Sequence, residues 1–353
     1  LKPDLILATC GGSLAALLVD IAPEPMPLKT FLESEALYQV VKASQHRQNF
    51  ENNTAKRKPS YFYQGLKRLG LSKQATKLSK IHKRETYGGL LTELTQFAMF
   101  EIADETTWLD KLVSQKNQSA SASSPEVAII ASRLLADKNK ADPEFLFSQA
   151  KLQQLLFIPS KLNSALDSLT KHQSINLQCP THQFAPNRIA KDIHLVKDWD
   201  IKQAVRASMA DMYYLQPTFI DGLGWSLGGV IDLTPIELAN RFGQTVFAET
   251  KNGYDKVLAA PAIKRIFGFD PNQRLNEVLS YTDDTKQSAI HWLPFADNGK
   301  ALAGQHVKKR FNLKGRRIDL IYADYNEFVL QMQAQWRYGY ERTLEYLKAS
   351  NLI

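Results

Sequence analysis

The sequence predicts an α/β fold: a mainly parallel sheet with helices on both faces. Three observations carry this. The apolar run "LILAT" (5–9) ends at Cys10-Gly11-Gly12 and gives way at once to the helix-like "SLAALLV" (13–19). Later strand-like runs, "QTVFAE" (244–249) and "IDLIY" (318–322), are separated by helical patterns. Continuous apolar runs bounded by turn residues suit strands buried on both faces, and alternation of strand and helix suits a layered sheet.

Taken in order, residues 4–9 read as a buried strand and 13–19 as the start of a helix. Residues 29–112 carry apolar residues at helical spacing, as in "LKTFLESEALYQVVKASQ" and "YGGLLTELTQFAMFEIA". The polar, low-complexity "SQKNQSASASS" (114–124) reads as a loop. Ser124-Pro125-Glu126 then has the order of a helix start, with serine at the cap, proline first and an acid in the first turn. A helix is therefore expected through "VAIIASRLLAD", and another from Pro143 to about Leu169. Residues 174–196 read as strands with turns, and 200–212 as a helix. The glycine-rich "FIDGLGWSLGGVIDLTP" (219–235) leads into the helix "IELANRFG". A last helix is expected from about Asn326 to Leu347.

The 353 residues are 44% hydrophobic and 23% charged, which suits a globular chain. No window of about 18 apolar residues occurs, and no signal peptide or lipidation motif is found in the chain, so a cytoplasmic or membrane-peripheral location is expected. The chain opens on Leu1, inside a strand pattern, which suggests an N-terminally truncated or processed form. Its two cysteines, Cys10 and Cys179, are too few for a disulfide scaffold. The histidines lack ligand spacing, and no metal or cofactor is expected. The net charge of +8 is local: Lys56 to Arg84 holds ten Lys/Arg and no acid, leaving 34 basic against 36 acidic residues elsewhere. Aromatics Tyr61, Phe62 and Tyr63 interleave those charges. Such a segment can lie on anionic lipid; it also suits a solvated helix face or lid. No nucleic-acid motif accompanies it, and no nucleic-acid partner is expected. A second basic run, "KKRFNLKGRR", covers 308–317.

Several stretches together resemble the patatin-like lipid acyl hydrolase family. The family's nucleophile turn reads roughly D-x-I-x-G-T-S-A-G-A. Asp4 to Ser13 aligns with it without a gap, with Asp4, Ile6, Thr9 and Gly12 matching, Ala8 on the first glycine and Cys10 on the serine. "AVRASMADMYYLQPTFIDG" is similar to the family's A-x-x-A-S-x-A-x-P segment. "GGVIDLTPIELANRFG" (228–243) resembles D-G-G-x-x-D-N-x-P-x-x-x-A-x-x-x-G, with Gly228, Gly229, Asp232, Pro235, Ala239 and Gly243 in register and Leu227 at the catalytic aspartate position. "RYGYERTLEYL" (337–347) looks like the closing helix. The resemblance covers the two ends and most of the second half. It implies a single patatin-like three-layer domain over 1–353, with a mostly helical insertion or cap at about 29–170. The family's first strand and upstream glycine-rich loop would precede Leu1.

The resemblance also implies cleavage of phospholipid or other acyl esters through an acyl-enzyme. That chemistry needs a nucleophile on a tight strand-to-helix turn, a base in hydrogen-bond reach and N–H donors for the oxyanion. Cys10 is the candidate nucleophile and Gly11 N–H an oxyanion donor. Leu227 cannot take a proton, and Asp221, in another Asp-Gly pair six residues earlier, is the substitute base; placing it requires an insertion in the register. Asp232 would support the loop. Ser13 is an alternative nucleophile in a G-x-S-x-A reading, or the small residue that starts the helix. Cys179 reads as a core residue and His182 as a loop residue without a role. The other reading is a catalytically degenerate patatin-fold protein that binds lipid or a protein partner, in which Cys10 and Leu227 fill the former site with an apolar contact.

Overall fold

A computed structural model describes residues 2–43, 91, 106–114, 124–135, 151–162, 177–212, 215–254, 256, 259–282, 289–305, 308–312, 317–321 and 323–353. The basic segment Lys56 to Arg84 and most of the 114–124 loop lie outside them. The fold is α/β. Strand β1 (Leu5–Thr9) leads into helix α1 (Gly11–Ile21), followed by α2 (Pro25–Leu32), α3 (Glu35–Ala43) and α4 (Thr107–Val113). Strands β2 (Glu126–Leu135), β3 (Lys151–Phe157) and β4 (His194–Val196) come next, then α5 (Ile201–Met209) and the hairpin β5 (Thr218–Ile220) and β6 (Gly224–Ser226).

These six strands form one sheet in the order β4-β3-β2-β6-β5, with β1 also on β2. The sheet is mixed rather than mainly parallel. β1–β2 and β3–β4 run parallel, whereas β2–β3, β2–β6 and β5–β6 run antiparallel.

Two sequence expectations change here. Glu126 to Leu135, expected as a helix behind a capping signal, is the central strand. Its run Val127 to Ala131 is buried on both faces, Ile129 toward one core and Ile130 toward the other, so period-2 packing overrides the local cap. Lys151 to Phe157, inside the expected Pro143–Leu169 helix, is β3. Its Gln153 carboxamide oxygen accepts from the Arg133 Nε and Nη2 across the strands, at 3.0 and 2.8 Å. Part of the 29–170 stretch therefore belongs to the sheet rather than to a helical cap.

The remaining elements are α6 (Ile236–Phe242), β7 (Thr245–Glu249), α7 (Ala259–Phe267), α8 (Pro271–Val278), β8 (Ala289–Leu293), the short α9 (Asn298–Ala301), β9 (Lys308–Asn312), β10 (Arg317–Ile321) and α10 (Tyr325–Ala349). β7 and β8 pair in parallel, and β9 with β10 antiparallel, as separate two-stranded sheets. One core, under α1, α3, α4 and α5, holds Leu17, Val40, Leu109 and Val205; the other, under α6, α7 and α8, holds Leu227, Ile236, Phe267 and Val278. Helices thus cover both sheet faces. Three helices are capped by the aspartate before them: Asp200, Asp270 and Asp324 each accept an N–H from the first turn that follows. Among the described residues no helix is long and apolar enough to cross a membrane.

Candidate active site

The site forms where β1 ends. Cys10 occupies the turn into α1 with φ 52° and ψ −129°, a conformation that L-residues seldom adopt. Such strain persists only where the surroundings fix it. Here they do. The Cys10 N–H donates to Ser208 Oγ at 2.8 Å, and that hydroxyl donates to Ile130 O at 2.5 Å, tying the turn to α5 and the central strand. Ser13, fully buried, donates to Cys10 O at 2.6 Å. It therefore serves the helix start. The half-buried Cys10 side chain is left at the apex, beside the first N–H groups of α1 at Gly11 and Gly12, which lack intrahelical acceptors.

The thiol has a partner. Cys10 Sγ donates to Asp211 Oδ1 at 3.0 Å, and Gly229 N–H donates to the same oxygen at 3.0 Å. Asp211 follows the C-terminus of α5. The Gly228-Gly229 pair is shaped around these two side chains. A methyl group on Gly229 would lie 2.9 Å from Cys10 Sγ and 3.2 Å from Thr9 Cβ. On Gly228, at φ +76°, it would collide with Asp211, lying 2.5 Å from its backbone nitrogen. Ser132 Oγ holds this loop by donating to Gly228 O at 2.7 Å, and Ser226 Oγ donates to Ser132 O at 2.7 Å. Three buried serines, 132, 208 and 226, thus brace the turn and the loop opposite it.

Burial governs the protonation of the pair. Loss of water pushes the Asp211 carboxyl up to about 6, opposed by its bonds from Cys10 and Gly229, by the Lys251 ammonium and by Tyr254. The Cys10 thiol is raised well above its ordinary value by burial and then by the Asp211 charge, with Lys251 acting in the other direction. At neutral pH the pair rests as a thiol hydrogen-bonded to a carboxylate. That is the arrangement in which a base removes the proton as the sulfur attacks.

Asp221 is not brought to Cys10. It is exposed on the turn between β5 and β6. β6 meets β2 at Arg133↔Ser226, and Gly224 already lies beside Leu134, so this turn sits past the far end of β2. Leu227 is fully buried in the apolar core, and the thiol faces a carboxylate. Asp232 is buried and ion-paired with Arg274 at 3.3 Å; Arg274 also forks onto Glu237. Burial lifts Asp232 to about 7, against the pull of Arg274. Cys179 is buried, its thiol pushed up to about 12 by desolvation. His182 sits in a short 3₁₀ turn, Pro180–Phe184, with Nδ1 2.8 Å from Ile189 O.

A cleft of about 410 Å³ lies alongside, lined by Thr234, Lys251, Leu275, Leu279, Trp292 and Arg342 among others. Lys251 belongs to both the cleft and the turn: its Nζ donates to Thr9 Oγ1 at 3.1 Å and to Leu233 O at 2.7 Å. Among the described residues no group of three or more His, Cys, Asp or Glu is placed to hold a metal ion. Asp211 and Lys251 were not singled out from the sequence. The only signal for Asp211 was its position three residues after Ser208, in the segment that resembles the family's A-x-x-A-S-x-A-x-P. No family model matches the chain, and no curated protein matches it.

Proposed function

We propose that the protein is an acyl-ester hydrolase of the patatin-like type, with Cys10 as nucleophile and Asp211 as base. One observation carries this reading: a cysteine in a strained strand-to-helix turn, its Sγ 3.0 Å from a carboxylate oxygen that Gly229 N–H holds in place. The layered α/β fold, with a glycine loop facing the turn, supports the family likeness.

In the proposed reaction Asp211 takes the thiol proton as sulfur bonds to the ester carbon. The carbonyl oxygen becomes an oxyanion facing the N–H of Gly11 at the start of α1. Donors of this kind contribute roughly 10²- to 10³-fold in rate. Collapse expels the alcohol, which leaves with the proton from Asp211, and a thioester remains on Cys10. Water, deprotonated by Asp211, then releases the acid and restores the thiol. The cleft, with Leu275, Leu279 and Trp292 on its walls, suits an apolar acyl chain. Phospholipid is the proposed substrate class, and the segment Lys56 to Arg84 the proposed lipid-surface contact; that segment rests on its composition alone.

The test is hydrolysis of short-chain esters and of mixed phospholipid vesicles by the protein and by Cys10→Ala. Turnover that disappears in the variant is expected. Turnover that survives it would overturn the assignment. A second reading, a degenerate lipid- or protein-binding relative, draws on the thiol being raised by burial and on Leu227 at the family's aspartate position. Vesicle binding without turnover, in a protein whose Cys10 resists alkylation, would favour it.

A further inference from the structure

Lys251 stands at the boundary between cleft and turn. It lies two residues beyond β7, and its side chain is 22% exposed. Its ammonium is held from three directions: Leu233 O at 2.7 Å, Thr9 Oγ1 at 3.1 Å and the Glu249 carboxylate at 3.1 Å. Thr9 is the residue before the nucleophile, and its hydroxyl also donates to Leu233 O at 3.0 Å. The cation is therefore fixed against the end of β1, and lysine's usual mobility is removed.

We propose that Lys251 is a positioning residue for the Cys10–Asp211 pair, an ammonium fixed at the inner edge of the cleft and bonded to Thr9, the residue before Cys10. The proposal rests on the reading of that pair as the reacting groups. Among the described residues the charges that face the pair are few. Lys251 is the cation; Glu249, half exposed, offsets part of its charge; Tyr254 faces Asp211. Further off, Arg274 pairs with both Asp232 and Glu237. Lys251 lowers the proton affinity of Cys10 and of Asp211 alike, so removing it raises both. Two groups this close titrate as a unit, and the shift is read on the pair.

The experiment is the pH dependence of Cys10 alkylation by iodoacetamide, with Cys10→Ala as the blank for Cys179. In Lys251→Met the rising limb is expected to move to higher pH, with the rate near neutrality falling about tenfold for each unit of movement. Lys251→Arg keeps a cation and is expected to retain most of the profile. Glu249→Gln, which leaves the Lys251 contacts to Thr9 and Leu233 in place, is expected to move the limb to lower pH. A folded Lys251→Met with an unmoved limb overturns the proposal. Should that variant fail to fold, an unmoved limb in Glu249→Gln overturns it instead. A shifted limb without ester turnover in the parent protein would refute the hydrolase reading and leave the role of Lys251 intact.

Discussion

At the scale of single residues, the site is defined by a carboxylate that is costly to bury. Asp211 is lifted to about 6 by desolvation, so the folded chain holds that proton more tightly than the unfolded chain does. The resulting stabilisation is full below the ordinary aspartate range, near pH 4, and is lost as pH rises through about 6. Above that the buried charge works against folding. Asp211→Asn keeps an oxygen for the Gly229 N–H and removes the charge. It is expected to be more stable than the parent at about pH 8, by roughly 1–3 kcal/mol, with the advantage gone near pH 4. Urea unfolding at the two pH values checks this, and an equal difference at both would contradict it. Loss of activity with gain of stability is the expected signature of a working base. The sequence made Cys10 legible because strand, glycines and helix surround it in one continuous stretch. Asp211 was not legible, because its role depends on where α5 ends in space. Asp221 looked better in one dimension, since an Asp-Gly pair also marks an ordinary hairpin turn.

At the scale of elements, the turn at Cys10 and the Gly228-Gly229 loop are built to approach each other. Gly11 and Gly12 have open space where a methyl group would stand, whereas Gly228 and Gly229 have none. Gly229→Ala is therefore expected to abolish turnover and blunt Cys10 alkylation. Gly12→Ala, at the start of a helix, is expected to leave the melting temperature unchanged or slightly raised. Thermal melting and alkylation of the two variants check the contrast. Elements with a strong local signal were legible. β1, α1, α5 and α6 fall at or near their expected positions, as do β7, β10 and α10. β2 and β3 were not, for a physical reason. Their apolar runs are short, and burial on both faces erases the alternation that would separate strand from helix. At β2 the Ser-Pro-Glu cap signal pointed the wrong way, because a strand between β1 and β3 gains more from packing than a cap contributes.

At the scale of the molecule, one sheet separates two cores, and the Cys10–Asp211 pair sits where β1, α5 and the Gly228 loop converge. The layering was legible as an alternation of strands and helices. The mixed strand directions were not, since antiparallel pairing of β2 with β3 depends on a connection whose course no local pattern encodes. The charge is divided in a similar way. The chain outside Lys56 to Arg84 is near charge balance, and the excess lies in that segment. The proposed chemistry is best tested where two aspartates compete for one role. Turnover of a short-chain ester should be measured side by side for the parent protein, Asp211→Asn and Asp221→Asn. With Asp211 as the base, Asp211→Asn loses roughly 10²- to 10⁴-fold in kcat and Asp221→Asn matches the parent. Full turnover by Asp211→Asn, or its loss in Asp221→Asn, would contradict the assignment of the site.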